Sequence, residues 1–211
     1  MIKIYGSPAS RASRPMWALE ELGLPYELVN LDFRKGEHKA PAFLAINPAG
    51  KMPALVDGDV VMAESLAMTV YIAQRYGMGK LWPPGDAAHA AILQWTLWAA
   101  NELEPVSYGM LREVFFKKPE ERNAAVIAAL GERAKPLMQV LATYLARHAH
   151  LVGEAFTLAD LQVAGVLDYC TRSDFSLAPW PKVAAWHAAC QARPAYGKVQ
   201  DIRAAAMQAA Q

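Results

Sequence analysis

The period of the apolar positions changes several times along the first third of the chain. Ile2 and Ile4 alternate with polar neighbours, as in a half-buried strand. Gly6-Ser7-Pro8 then turns the chain, and Trp17, Leu19 and Leu22 fall at helical spacing until Leu24-Pro25 stops them. Tyr26 to Asp32 reads as a second strand. A strand-helix-strand unit with so short a helix implies a right-handed crossover onto a parallel neighbour. A polar run from Arg34 to Lys39 leads into a brief helical stretch ending at Asn47-Pro48. Ala54-Leu55-Val56 and Val60-Val61-Met62 flank Asp57-Gly58, a two-residue hairpin signal. Glu64-Ser65 opens a helix that closes at Tyr76-Gly77, with Ser65 expected as its N-cap and Gly77 as its C′ residue. The predicted order is β-α-β-α-β-β-α.

No helix or strand survives Pro83-Pro84-Gly85, so residues 79–86 are expected to link two domains, 1–78 and 87–211. The second domain reads as all helical, which makes the whole chain α/β plus all-α. Its first helix is expected from Ala88 to about Leu111, strained at Pro105. A second begins at Pro119 and runs towards His148, kinked at Pro136. Thr157-Leu-Ala-Asp160 approximates a capping box and opens a helix to about Thr171. Pro181 opens another, which stops before Pro194, and the Ala-rich tail is expected to add a short last helix.

Composition narrows the range of partners. The chain has 211 residues, 54% of them hydrophobic, enough for one large or two small cores. Its formal net charge of +1 argues against nucleic acid or an anionic membrane as the main partner. No apolar run approaches the ~20 residues that span a bilayer, and Lys3 with Gly6-Ser7-Pro8 interrupts any secretory signal. Cys170 and Cys190 make neither a disulfide framework nor a metal-ligand pattern. The expectation is a cytoplasmic, reduced protein with no metal and no permanently bound cofactor.

The chemistry concentrates in the first fourteen residues. Strand, turn and helix N-terminus in that order gather backbone N–H groups, a positive dipole end and three hydroxyls, Ser7, Ser10 and Ser13. Such a place stabilises an anion. If Ser10 capped the helix, Pro15 would remove an intrahelical hydrogen bond; with Ser13 as the cap, Pro15 falls harmlessly in the first turn. Ser10 is therefore expected in the loop ahead of the regular helix.

Four stretches in order, Tyr5-Gly-Ser-Pro-Ala-Ser10, Gly36-Glu-His-Lys39, Asn47-Pro-Ala-Gly-Lys-Met-Pro53 with Asp57-Gly58, and Glu64-Ser65, resemble the cytosolic glutathione S-transferases. The serine-type members, and the phi pattern especially, are similar. Thr157-x-Ala159-Asp160 and Pro181-x-Val183-x-x-Trp186 extend the resemblance to the helical domain. It implies a thioredoxin-like glutathione-binding domain followed by a helical bundle, a homodimer, and glutathione as co-substrate. By the same resemblance Ser10 faces the glutathione sulfur, while His38, Lys39 and Lys51 meet the glycine end. Met52 pairs its backbone with the cysteinyl part before a cis Pro53, and Glu64 and Ser65 take the γ-glutamyl amine and carboxylate. The absence of cysteine at Ser10 and Ser13 removes dithiol chemistry.

For the electrophile, Trp95, Trp98, Tyr108, Met110, Leu111 and Arg112 supply an aromatic and Met-containing set suited to an adaptable apolar pocket, of which one or two are expected to serve. The function expected is conjugation of glutathione to small hydrophobic electrophiles. Two alternatives use the same fold: glutathione-dependent isomerisation or peroxide reduction, and a non-catalytic module for binding or assembly.

Overall fold

The computed structural model describes residues 1–209. Chain compactness divides it into two units: Met1–Trp82 together with the chain from Ala192 onward, and Pro83–Gln191.

In the first unit, β1 (Ile2–Tyr5) buries Ile2 and Ile4 and leaves Lys3 and Tyr5 half-exposed, as the alternation predicts. It pairs in parallel with β2 (Tyr26–Val29), which is shorter than the apolar run implies. On its other side it pairs antiparallel with β3 (Ala54–Asp57), which in turn pairs with β4 (Val60–Ala63). The sheet order is β2-β1-β3-β4. The hairpin loop is Gly58-Asp59 rather than Asp57-Gly58, because Asp57 is itself paired with Val60 and the positive φ of 59° falls on Gly58. Three helices complete the β-α-β-α-β-β-α order: α1 (Ser13–Leu22), the single turn α2 (Pro41–Leu44) and α3 (Ser65–Tyr76). Met16, Leu19, Leu55, Met68 and Ile72 are fully buried in this core.

Helix α1 closes on Gly23, at φ 66°, whose N–H reaches the carbonyl of Glu20 while that of Leu24 reaches Leu19, the Schellman closure. Gly77 behaves differently from expectation. Its φ is −110°, so it does not serve as a left-handed cap; it is required because a Cβ there would stand 2.9 Å from the Ala73 carbonyl oxygen.

The unit is completed from the far end of the chain. The tail forms a full helix, α9 (Pro194–Ala209), which packs against α1. Arg193 donates from Nε and Nη2 to the two carboxylate oxygens of Glu21, both at 2.7 Å, and Trp17 Nε1 donates to the same carboxylate at 3.0 Å. Trp17 also meets Tyr196 edge to face at 4.9 Å. A bidentate guanidinium–carboxylate pair is the strongest form of this contact.

The second unit holds α4 (Asp86–Trp98), α5 (Glu104–Phe115), α6 (Ala124–Leu145), α7 (Leu158–Thr171) and α8 (Pro181–Gln191). The single helix expected over Ala88–Leu111 is divided by a π-helical stretch, Ala99–Leu103. Pro105 has no N–H to give the carbonyl four residues back, and widening the preceding turn is how the chain passes it. The helix expected from Pro119 is also two pieces. Pro119–Glu121 makes a single 3₁₀ turn, and α6 starts afresh at Asn123, whose side chain accepts from Ala125 and Val126 N–H. It then runs through Pro136 to Leu145.

Helix α7 is buried on nearly every face, as befits the centre of a bundle, and packs against α4, α5 and α8. Its N-terminus is fixed by the fully buried Asp160. One carboxylate oxygen accepts from Leu151 N–H at 2.9 Å and Trp186 Nε1 at 2.9 Å; the other accepts from Thr157 N–H at 3.0 Å. Each donor left unsatisfied in such a place costs about 1–3 kcal/mol. Asp160→Ala is therefore expected to lower unfolding free energy by about 3 kcal/mol or more, read as a fall in the urea midpoint. Glutathione affinity per folded molecule should stay unchanged.

Candidate functional site

Ser10 lies in the turn between β1 and α1, ahead of the regular helix as expected. Its hydroxyl donates to the Ser7 carbonyl at 2.6 Å and accepts from Ala12 N–H at 3.2 Å. The backbone N–H of Ser10, Ser13 and Arg14 each bonds a carbonyl three residues back. That tight winding corrects one expectation. Ser13 is the first residue of α1 and not its cap; its hydroxyl donates back to the Ser10 carbonyl at 3.1 Å, since the winding has already used the N–H groups a cap would serve. Pro15 falls harmlessly in the first turn, as read from the sequence. Ser7 accepts from Ala9 N–H at 3.3 Å.

Gly6 brings this turn against the next piece of the site. A Cβ on Gly6 would lie 3.2 Å from Ala12 Cβ and 3.5 Å from both Met52 Cβ and Pro53 Cα. The Met52–Pro53 bond is cis, the form the resemblance implies. The loop before it is held by buried Asn47, which donates from Nδ2 to the Lys51 carbonyl at 2.6 Å and accepts from Ala49 N–H at 3.2 Å.

Lys39, exposed, lays its ammonium on the Ala49 carbonyl at 3.3 Å. The space it occupies exists because residue 50 is glycine: a Cβ there would stand 2.7 Å from Lys39 Nζ and 2.9 Å from its Cδ. Gly50 also sits at φ 56°. His38 stacks on Phe33 with ring centroids 4.4 Å apart, and Lys51 is exposed on the same loop as Met52.

At the opening of α3, Glu64 occupies the N-cap position with φ 69° and ψ 103°, unusual for a residue with a side chain. Strain of that kind costs about 1–3 kcal/mol and persists where surrounding structure holds it, typically at functional sites. Ser65 is the first helical residue and not the cap that its sequence position predicts. Its buried hydroxyl accepts instead from Arg14 Nη1 at 3.1 Å, across 51 positions of sequence. Arg14 was visible in the sequence only as one cation in a serine-arginine cluster. A cation in the first turn of a helix opposes the dipole, and that mismatch was the available signal.

The residues named for the electrophile all belong to the second unit. Met110 and Leu111, on α5, are 2% and 6% exposed and form part of the helical core. Trp98, at the end of α4, is half-buried and meets Trp95 edge to face at 5.3 Å; Tyr108 is half-buried and Arg112 exposed. Cys170 and Cys190 are both buried and outside any disulfide, and burial pushes the Cys170 thiol up to about 12, far from a reactive thiolate. Among the described residues no His, Cys, Asp or Glu side chains gather as a metal site, and no helix is long and apolar enough to cross a membrane.

Gly50→Ala separates the Lys39 contact from the rest of the site. The new methyl takes the position of the ammonium, and the left-handed backbone adds strain of about 1 kcal/mol. With Lys39 at the glycine end, as the resemblance implies, weaker glutathione binding is expected, with a much smaller effect on a glutathione analogue that lacks the glycine carboxylate, both read by calorimetric titration.

The matches to known proteins follow the same division of the chain. Residues 1–74 match the family model "Glutathione S-transferase, N-terminal domain", and 107–194 match "Glutathione S-transferase, C-terminal domain". Glutathione S-transferase 3 of Zea mays is 36% identical over 205 residues, covering 93% of this chain and 92% of its own. A probable glutathione S-transferase of Oryza sativa subsp. japonica, GSTF2, is 35% identical over 210 residues, covering 95% and 96%. The crystal structure of glutathione transferase F7 from Populus trichocarpa superposes with a TM-score of 0.89 at 28% identity, covering 96% of this chain and 99% of that one. With a sheet, helix order and relatives of this kind, the chain belongs to the cytosolic glutathione S-transferase family and has its serine-type, phi-like pattern.

Proposed function

We propose that the chain conjugates glutathione to small hydrophobic electrophiles, with Ser10 stabilising the attacking thiolate. The observation that carries this reading is the position of the Ser10 hydroxyl, in a turn packed against the cis Met52–Pro53 backbone. Ala12 N–H already donates to Ser10 Oγ, which makes the hydroxyl proton a better donor. In turning from the Ser7 carbonyl towards a sulfur anion, that proton exchanges a neutral acceptor for a charged one.

The magnitudes suffice. A free thiol titrates near ~8.5, and the thiolate is the nucleophile. Lowering that value by two units takes about 2.7 kcal/mol. A hydrogen bond to a charged acceptor supplies about 1.5–3 kcal/mol, and the start of α1 adds about 0.3–1 kcal/mol. The thiol proton goes to solvent, the sulfur forms its bond to the electrophilic carbon, and the leaving group departs with the displaced electron pair. Ser10 is neither base nor nucleophile in this scheme.

The ends of the tripeptide are assigned within the same proposal. His38, Lys39 and Lys51 receive the glycine carboxylate, Met52 pairs with the cysteinyl backbone, and Glu64 and Ser65 take the γ-glutamyl amine and carboxylate. The apolar electrophile is assigned to Trp98, Tyr108, Met110, Leu111 and Arg112, of which Trp98 and Tyr108 are half-buried. A homodimer in a cytoplasmic, reducing compartment completes the reading. Two buried cysteines outside any disulfide accord with that compartment, and Val61 on edge strand β4 and Leu97 on α4, 52% and 60% exposed, are apolar surface a second copy would cover.

Retention on glutathione-agarose followed by turnover of an aryl halide tests the activity; absence of both removes it. In Ser10→Ala the ultraviolet titration of bound thiol should move up by about two units while most glutathione affinity remains. Because the thiolate then forms only at higher pH, the pH profile of kcat/KM moves upward with it. An unchanged titration in Ser10→Ala, with loss in Ser7→Ala or Ser13→Ala, would assign the role elsewhere.

A further inference from the structure

We propose that Arg14 is a positioning residue for the γ-glutamyl carboxylate, acting by fixing which way the Ser65 hydroxyl points. The inference rests on the glutathione reading and adds to it a residue that acts through Ser65.

The argument begins with the donor inventory of a hydroxyl, one proton and two lone pairs. Arg14 is 2% exposed and Ser65 4%, so neither turns to bulk water for a partner. A guanidinium only donates, so in the 3.1 Å bond between them Ser65 Oγ is the acceptor. Its proton is thereby directed away from Arg14. The other buried serine and threonine side chains among the described residues spend theirs on the protein. Thr69 donates to the Leu66 carbonyl, Thr96 to that of Ile92, Ser107 to that of Glu104 and Ser173 to that of Tyr169; Thr157 donates to Asp160. Ser65 makes no such donation. It is a buried donor with its proton in reserve, at the first position of α3, where opening N–H groups and the positive helix end already favour an anion.

Burying a guanidinium is costly, and placing it in the first turn of α1 opposes that helix's dipole. An anionic ligand at the start of α3 offsets both costs, through its own charge and through the hydroxyl that Arg14 polarises. Charge-assisted bonds to carboxylates are roughly twice as strong as neutral ones. The contact also joins the helix that follows Ser10 to the helix that starts with Ser65, two segments far apart in sequence.

Calorimetric titration with two ligands tests this. One is glutathione; the other is 4-aminobutyryl-cysteinylglycine, which lacks only the γ-glutamyl α-carboxylate. Arg14→Met should lower glutathione affinity about 10- to 100-fold and leave that of the analogue unchanged. Arg14→Lys keeps the charge but loses the planar fork, and should show the same selective loss to a smaller degree. It also serves as the test variant if Arg14→Met does not fold. Ser65→Ala should reproduce the selectivity, and in the double variant the losses should not add, because both substitutions disable one bond. Equal losses for both ligands, no loss for either, or additive losses would overturn the proposal. If the wild-type protein binds neither ligand, the glutathione reading fails first and this one with it; a loss blind to the carboxylate overturns the role of Arg14 alone.

Discussion

The candidate site depends on the close approach of two backbones at Gly6. The turn leaving β1 and the loop entering β3 meet there with no side chain between them; a methyl group would crowd Ala12 at 3.2 Å and come into contact with Met52 and Pro53 at 3.5 Å. Because β1 and β3 are paired antiparallel, Tyr5 opposite Ala54, the sheet register sets this meeting and the turn sequences only complete it. The Ser10 turn and the main chain at Met52 are thus brought together by backbone geometry fixed by the core. Ser10 sits in the turn leaving a sheet strand, and Lys39 and Lys51 sit in the exposed segments around the loop that enters β3.

The first unit was largely legible because its punctuation is local. Alternation gave β1, Asp-Gly gave the hairpin to within one residue, and Pro15 separated Ser10 from the regular helix. Where the reading missed, a long-range or steric fact had prevailed over a local preference. Ser65 looks like a cap until Arg14, 51 residues away, occupies its oxygen. Ser13 looks like a cap until the preceding turns have used the available N–H groups. Gly77 looks like a left-handed terminus, yet it is glycine for want of room beside Ala73.

In the helical unit, proline marked the right places, and the local consequence differed from one to the next. Pro105 is absorbed by a widened turn, Pro119 by an isolated 3₁₀ turn, and Pro136 by the interior of a continuous helix. Proline reports a missing donor and a crowded carbonyl, and the remedy is chosen by packing. The capping signal at Thr157 and Asp160 was readable; the Trp186 and Leu151 donors that make Asp160 a junction were not, since they arrive from outside the local pattern.

The return of α9 to the first unit bears on how the protein is made. Trp17 and Glu21 are made before residues 83–191, and their partners Tyr196 and Arg193 after them. At ordinary translation speeds the intervening residues 83–191 take roughly 5–20 seconds to emerge. During that interval the flank of α1 waits uncovered on the ribosome. A ribosome that stalls before Arg193 releases a first unit whose sheet is complete but whose α1 flank remains bare.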